Sequence, residues 1–389
     1  MKILIIGPIP IKYGGKELGG VCTHITGLTD NLCLQKHEVS LWNYKPTEAL
    51  KNKLVTVIGN SYFSYIKSFR FFFRIFFSKK YFFLKSKEKL LLLYQIARLT
   101  EILKESNFDI IHVHSLKNTV PIALQSLKIK TPYVITDHGF WNQKGVEIVN
   151  SKSFFRVKSN IKGCAKLIYI SNYAKQKHEE IDLNQKNKLI KISNPLTIPN
   201  SIIKINKSRK KIIFFNGLTK TIEIKNLPIL LKAIEDNEYL NKNIKLIVLS
   251  NKAGIKHIKQ NTYSFEIEVY GETPWKKVIN FYKKSDLLVV PSKSDSFGLV
   301  YIEALAYGMP IIGLDKLINE FQKTIQYYIG EPFNPNNESS KDLAQKIIKA
   351  LQSDFNAQKI TEQLKLKFSW KNNVNKYIDV YKQCKKNIK

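Results

Sequence analysis

The sequence predicts an α/β protein made of two parallel-sheet units in series, and three observations predict it. Short apolar runs alternate with helix-period segments along most of the chain, which is the pattern of a parallel sheet covered by helices on both faces. The alternation pauses in a polar, basic stretch, Asn194–Lys211, that carries Pro195 and Pro199, and then begins again. The length of 389 residues is enough for two domains of ordinary size.

In order, Ile3–Ile6 reads as a buried strand, and Val21–Leu34 as a helix with Val21, Ile25, Leu28 and Leu32 on one face. Val39–Trp42 and Val55–Ile58 follow as strands. Leu90–Lys104 is a helix, and Ile110–Val113, Tyr133–Thr136 and Leu167–Ile170 are further strands. Beyond the linker come strands Ile212–Phe215, Ile244–Leu249, Glu266–Val269, Leu287–Val290 and Ile311–Gly313. Helices are expected at Leu227–Ile234, Trp275–Lys284 and Gly298–Tyr307, then at Ser339–Gln352 and Trp370–Lys386. Units of this kind take ligands at the C-terminal ends of their strands.

Composition narrows the class. Apolar residues make up 44% and aromatics 12%, so the chain builds real cores. Four scattered cysteines, none in a CxxC pair, argue against a zinc ribbon or a redox pair and fit a reducing compartment. The opening Met-Lys-Ile-Leu-Ile-Ile-Gly-Pro is too short an apolar run for a secretory leader and is read as the first strand. No run of 18 apolar residues is seen, so no membrane span is expected. The charge stands out: 63 Lys and Arg against 31 Asp and Glu, a net +32. Nucleic acid, an anionic membrane surface or a phosphorylated substrate would each suit it, and so would a compositional drift toward Lys, Asn and Ile.

Segment Ser61–Leu93 interleaves aromatics with cations. Lys67, Arg70, Arg74, Lys79, Lys80, Lys85, Lys87 and Lys89 face one acid, Glu88. Such a mixture suits a helix lying in the headgroup region of an anionic bilayer, with Arg70, Arg74, Lys79, Lys80, Phe71 and Phe72 as contact residues. A pair of buried helices with snorkelling cations is the plainer reading, and single-stranded nucleic acid is a third.

The most informative stretch is Pro291–Pro310. A strand end, a polar loop, a glycine and an almost wholly apolar helix follow one another, with Glu303 inside the helix and Asp295 in the loop that enters it. A charge on an apolar helix needs a partner. The N–H groups at the start of a helix favour an anion, so the stretch suits a nucleotide-linked substrate, with the carboxylate holding sugar hydroxyls.

Asp295 and Glu303, separated by seven residues with Ser-Phe-Gly-Leu-Val between them, resemble the retaining glycosyltransferases of family 4. The likeness extends over most of the chain: Gly19–His24 after the first strand, Lys36–Val39, Asp109–Ser115, Thr136–Gly139, Ile192–Pro195, Phe215–Leu218 with Lys225–Leu227, Phe281–Ser292 and Phe368–Trp370. The resemblance implies a GT-B fold, two Rossmann-like domains facing each other across a cleft. Residues 1–200 would bind the acceptor, 208–368 would bind the nucleotide sugar, and the helix in 370–389 would pack back on the first domain. It also implies a metal-independent hexosyl transfer from a nucleotide-diphosphate sugar, a co-substrate rather than a cofactor, to a glycan or lipid-linked acceptor. Nucleic acid is not expected as a partner. The expected setting is cytoplasmic, peripheral on the inner face of a bacterial membrane, in surface polysaccharide or glycolipid synthesis. A nucleotide-sugar epimerase on the same fold and a basic nucleic-acid-binding protein are the alternatives.

Carried residue by residue, the resemblance gives catalytic roles to His138, Asp295 and Lys225. Donor binding falls to Glu303, Phe297, Gly298, Leu299, Gly217, Lys220 and Asn194, and Gly19 and Gly20 form the acceptor or phosphate loop. Gly14-Gly15 is a second candidate loop; Gly19-Gly20 is preferred because the helix begins directly after it. The family carries Glu where this chain has Asp295, and Arg where it has Leu218; Lys220 is the candidate replacement for that Arg. His112 and His114 alternate on one strand and share a face, but no third metal ligand is evident in the sequence, and no metal is expected.

Overall fold

The fold is that of a computed structural model, which describes all residues except 18, 44–49, 52–54, 140–148, 182, 203–204, 206–209, 219–221 and 387–389. The chain divides into two compact units, Met1–Leu196 with Trp370–Lys389, and Thr197–Ser369.

In the first unit the strands are β1 (Lys2–Ile6), β2 (Glu38–Trp42), β3 (Leu50–Lys51), β4 (Thr56–Ile58), β5 (Ile110–Val113), β6 (Tyr133–Asp137), β7 (Lys166–Tyr169) and β8 (Leu189–Lys191). They form one sheet in the order β3-β4-β2-β1-β5-β6-β7-β8. All pairs are parallel except β3 with β4. The unbroken apolar run of β1 has a direct cause. Successive strand residues point to opposite faces, and both faces are buried. Ile3 and Ile5 join a core with Ile110, Val134 and Ile168, covered by helices Gly20–Leu34 and Trp370–Lys386. Leu4 and Ile6 join another with Ile111, Val113 and Ile135, covered by helices Ser86–Glu105 and Val120–Leu127. Where helix Gly20–Leu34 meets Trp370, residue 27 is glycine; a Cβ there would fall 2.1 Å from Trp370 Nε1. That close approach keeps the last helix against the first.

The second unit has β9 (Lys211–Gly217), β10 (Ile244–Ser250), β11 (Glu266–Tyr270), β12 (Leu287–Val290), β13 (Ile311–Leu314) and β14 (Gly330–Phe333). Their order is β11-β10-β9-β12-β13-β14 and every pair is parallel. Counted within the unit this is the 3-2-1-4-5-6 order of a doubly wound dinucleotide fold. Each sheet therefore has a switch point, between β1 and β5 in the first and between β9 and β12 in the second, where ligands lodge beyond the strand ends.

The sequence reading lacked several elements. β14 reads Gly-Glu-Pro-Phe, a poor strand by propensity; it lies at the sheet edge, where proline's missing N–H costs no ladder bond. Helix Asp315–Ile325 begins directly after β13, so no loop marks its start.

The aromatic segment forms two short helices, Tyr62–Ser68 and Phe72–Phe76, joined by a 3-10 turn at Phe69–Phe71. Phe71 and Phe72 are half-buried and pack against the core, whereas Phe69, Phe73 and Phe77 are 74–77% exposed. The helical turn sends neighbouring residues in different directions, and Ile75, wholly buried, fixes which direction is inward.

Candidate active site

In the second unit the loops after β9 and β12 bring the chemistry together. The residue after Gly217 is Leu218, 42% exposed, and Lys220 lies outside the described residues. Lys225 ends the short helix Ile222–Lys225, which is tied to the loop after β12 by the Lys293 N–H donating to the Ile224 carbonyl at 2.8 Å. Across that tie the Lys225 ammonium donates to Asp295 Oδ2 at 2.5 Å. The two side chains are 13% and 15% exposed, so solvent and salt screen the pair far less than a surface pair. Asp295 Oδ1 accepts from the N–H groups of Ser296 and Gly298 at 2.8 and 3.1 Å. Asp295 is thus both the capping residue of the loop and the partner of Lys225, and each of its oxygens already has a protein donor.

Gly298 is the N-cap of helix Leu299–Ala306 with φ 70°. That left-handed angle favours glycine, and a Cβ would also meet the Tyr301 ring at 2.3 Å. Tyr301 is wholly buried and its hydroxyl donates to the Val290 carbonyl at 2.8 Å, which pins the helix start to the end of β12. The Phe297 side chain is buried between Phe321 and Phe368, so only its backbone can meet a ligand. Leu299 is half-buried at the first helical position.

Glu303 has the partner its setting demands. The Tyr282 hydroxyl donates to its Oε2 at 2.7 Å, and Asn216 donates to the same hydroxyl at 3.1 Å. Tyr282 is wholly buried and stacks on Tyr307. Burial lifts the Glu303 carboxyl to about 7, with the Tyr282 hydrogen bond pulling the other way. The sequence reading has Tyr282 only within the segment Phe281–Ser292 and gives it no role; it lies 21 positions away on helix Trp275–Lys284.

The first unit has its own pocket, a cavity of about 390 Å³ beyond the ends of β1, β5 and β6, lined by residues that include Gly19, Gly20, His114, Lys117 and His138. Gly19 is the N-cap of helix Gly20–Leu34 at φ 112°, with nothing within 4 Å of a Cβ built there. Gly15 is different: a Cβ would strike the Ile9 carbonyl at 1.7 Å, so Gly14-Gly15 serves the turn and Gly19-Gly20 the open cavity.

His138 Nε2 lies 3.1 Å from His114 Nδ1. The Asp137 carboxylate beside it accepts from the Gly139 N–H at 2.9 Å and approaches His178 Nε2 at 3.1 Å, both side chains almost wholly buried. These contacts hold the His138 loop. The third histidine that the sequence reading did not find is His24: one ring nitrogen from each of His24, His114 and His138 lies within 4.8 Å of the others. Helix Gly20–Leu34 brings His24 there, so the cluster arises from packing and not from spacing along one strand. His112 is elsewhere engaged, with Tyr381 at 2.6 Å and Thr136 at 2.7 Å. Asn194 is buried near His24. Burial is the main cause that lowers His24, His112, His114 and His138, with His138 at about 4 and His112 at about 3, so these four are neutral at pH 7.

Comparison with known proteins agrees with this architecture. The model of Glycosyltransferase Family 4 matches residues 18–195 and that of Glycosyl transferases group 1 matches residues 200–367. An uncharacterized glycosyltransferase of Methanocaldococcus jannaschii is 28% identical over 294 residues, 72% of this chain and 77% of that protein. Sucrose-phosphate synthase from Thermosynechococcus elongatus superimposes with a TM-score of 0.71 at 14% identity, over 98% of each chain. A lipopolysaccharide outer core galactosyltransferase gives 0.68 at 14% identity, over 98% of this chain and 99% of that one. Two consecutive family models, a glycosyltransferase relative and two helix-flanked parallel sheets place this chain among the group 1, family 4 glycosyltransferases of the GT-B fold, as a transferase enzyme.

Proposed function

We propose that the protein moves a sugar from a nucleotide diphosphate to a hydroxyl of a glycan or lipid-linked acceptor, with retention at the anomeric carbon. The observation that carries this is the linkage of Lys225, Asp295 and Gly298 at the β9–β12 switch point, with Glu303 tied through Tyr282 to Asn216 at the end of β9. Glu303, with one oxygen held by Tyr282, is assigned the ribose hydroxyls. The Lys225 ammonium and the first turn of helix Leu299–Ala306 are assigned the diphosphate. As the sugar–phosphate bond breaks, its electron pair passes to the phosphate oxygen, and a fixed cation stabilises that charge more in the transition state than before it. The acceptor oxygen attacks from the face the phosphate leaves, and the departing phosphate oxygen takes the acceptor proton. Asp295 acts by positioning Lys225 and the loop.

In the first unit, Gly19 and Gly20 are assigned to the acceptor. His138, neutral, can offer the donor sugar a hydrogen bond but not a charge. The reaction as proposed needs no metal, because the cation is Lys225. The three-histidine cluster has the donor atoms a divalent ion takes, so chelation is an informative control: turnover unchanged by EDTA is expected. The main test is a thermal-shift panel of UDP-, GDP- and ADP-sugars, followed by NMR of the product's anomeric coupling. A shift with one nucleotide class and an unchanged anomer are expected; no shift with any of them, or an inverted anomer, refutes the proposal.

A further inference from the structure

We propose that the exposed aromatic stripe of segment Tyr62–Phe77 inserts into the interface of an anionic lipid bilayer, with the surrounding cations on its headgroups. Tyr62, Ile66, Phe69, Phe73 and Phe77 are each at least 55% exposed. Their spacing of four, three, four and four keeps them on one side of a helical path. The opposite side is anchored. Ile75 is wholly buried, Ser64 donates to Glu101 at 2.5 Å, and Arg74 donates to the Ser126 carbonyl at 3.1 Å. The aromatics therefore stand on a fixed base and cannot fold inward without unpacking it. An exposed apolar run of this kind marks an interaction surface.

The charge says what covers it. Arg70, Lys79, Lys80, Lys85 and Lys87, on the stripe's segment and just after it, are all exposed. The two carboxylates within residues 61–104 are already paired, Glu88 with Arg156 and Glu101 with Lys67 and Arg98. A second copy of this chain would set cation against cation. An anionic bilayer satisfies both features together, apolar rings in the acyl boundary and ammonium and guanidinium groups in the phosphates. No described helix is long and apolar enough to cross a membrane, so the contact is with the surface. The inference rests on this surface alone and stands apart from the donor chemistry proposed above.

The test uses the full chain and vesicles of phosphatidylcholine with and without phosphatidylglycerol, and needs no turnover. Wild type is expected to sediment with the anionic vesicles and lose this at high salt. F69S/F73S/F77S is expected to bind about ten-fold more weakly or less, at an unchanged melting temperature. K79E/K80E is expected to weaken binding as well. The Phe73→Trp variant is expected to shift its emission to the blue on anionic vesicles and to be quenched by brominated lipid. Absence of vesicle binding, binding undiminished in the triple serine variant, or an F73W emission unmoved by vesicles overturns the proposal. So does preferential capture by poly(dT), or a dimer that the serine variant abolishes.

Discussion

The two units treat buried polar groups in opposite ways. The first gathers His24, His114 and His138 into a cluster that burial keeps uncharged. The second keeps a shielded Lys225–Asp295 pair and, on the helix that follows Asp295, a carboxyl whose value burial has lifted to about 7. The difference bears on what each can bind. Neutral imidazoles can serve hydroxyl groups, which bring no charge to be matched. A fixed cation and a helix N-terminus suit phosphates, whose charge grows as the leaving group departs.

Substitutions separate the two. Glu303→Ala has the largest expected effect, a loss of roughly 10²–10⁴ in kcat/KM for the donor, since two hydrogen bonds to a charged acceptor are at stake. Steady-state kinetics with the donor varied would check it. Lys225→Ala is expected to lower kcat by about 10²–10³ with KM changed less, read in the same assay. His138→Ala should cost only about three- to ten-fold, the worth of one neutral hydrogen bond. A loss at His138 as large as at Lys225 would break the contrast between the units.

Tyr282→Phe sharpens it. Removing the hydroxyl takes away the one contact that lowers Glu303, so its ionisation should move upward. Donor affinity, expected to improve as pH rises through about 7 while Glu303 ionises, would then improve only at higher pH, with about a ten-fold loss at neutral pH. Calorimetric titration across pH with wild type and Y282F reads both.

The smallest effect is on stability, and its sign differs between units. His138 is lowered to about 4, so its contribution is present above its ordinary value of 6.5 and is lost as pH falls through about 4. Glu303 is raised to about 7, so its contribution is present below its ordinary 4.5 and is lost as pH rises through about 7. Hydrogen exchange on the ligand-free chain should show the backbone around His138 loosening in acid and that around Glu303 toward alkaline pH. The same pH dependence at both places would contradict the assignment of these two groups.

Much of the fold was readable beforehand because periodicity is local. The all-apolar run of β1 announces a strand buried on both faces, and Leu299–Ala306 announces a buried helix with one acid in it. The site was readable only as separate residues. Lys225 and Asp295 were each singled out, yet nothing in either segment says that they pair across 70 positions. Tyr282 and His24 fall inside segments that carry the family resemblance, but nothing local gives either one a role. Phe71 and Phe72 pack inward while Phe69 and Phe73 are exposed, and composition cannot tell which side of a turn faces in.

What the sequence alone determined is the kind of most elements and the two-fold recurrence of the α/β pattern, since backbone preference and the spacing of apolar residues act over a few positions. Tertiary structure decided which polar groups meet. Strand order and helix packing carry Lys225 to Asp295, Tyr282 to Glu303 and His24 to His114. Each pairing depends on the register of elements far apart in the chain, which no local spacing encodes.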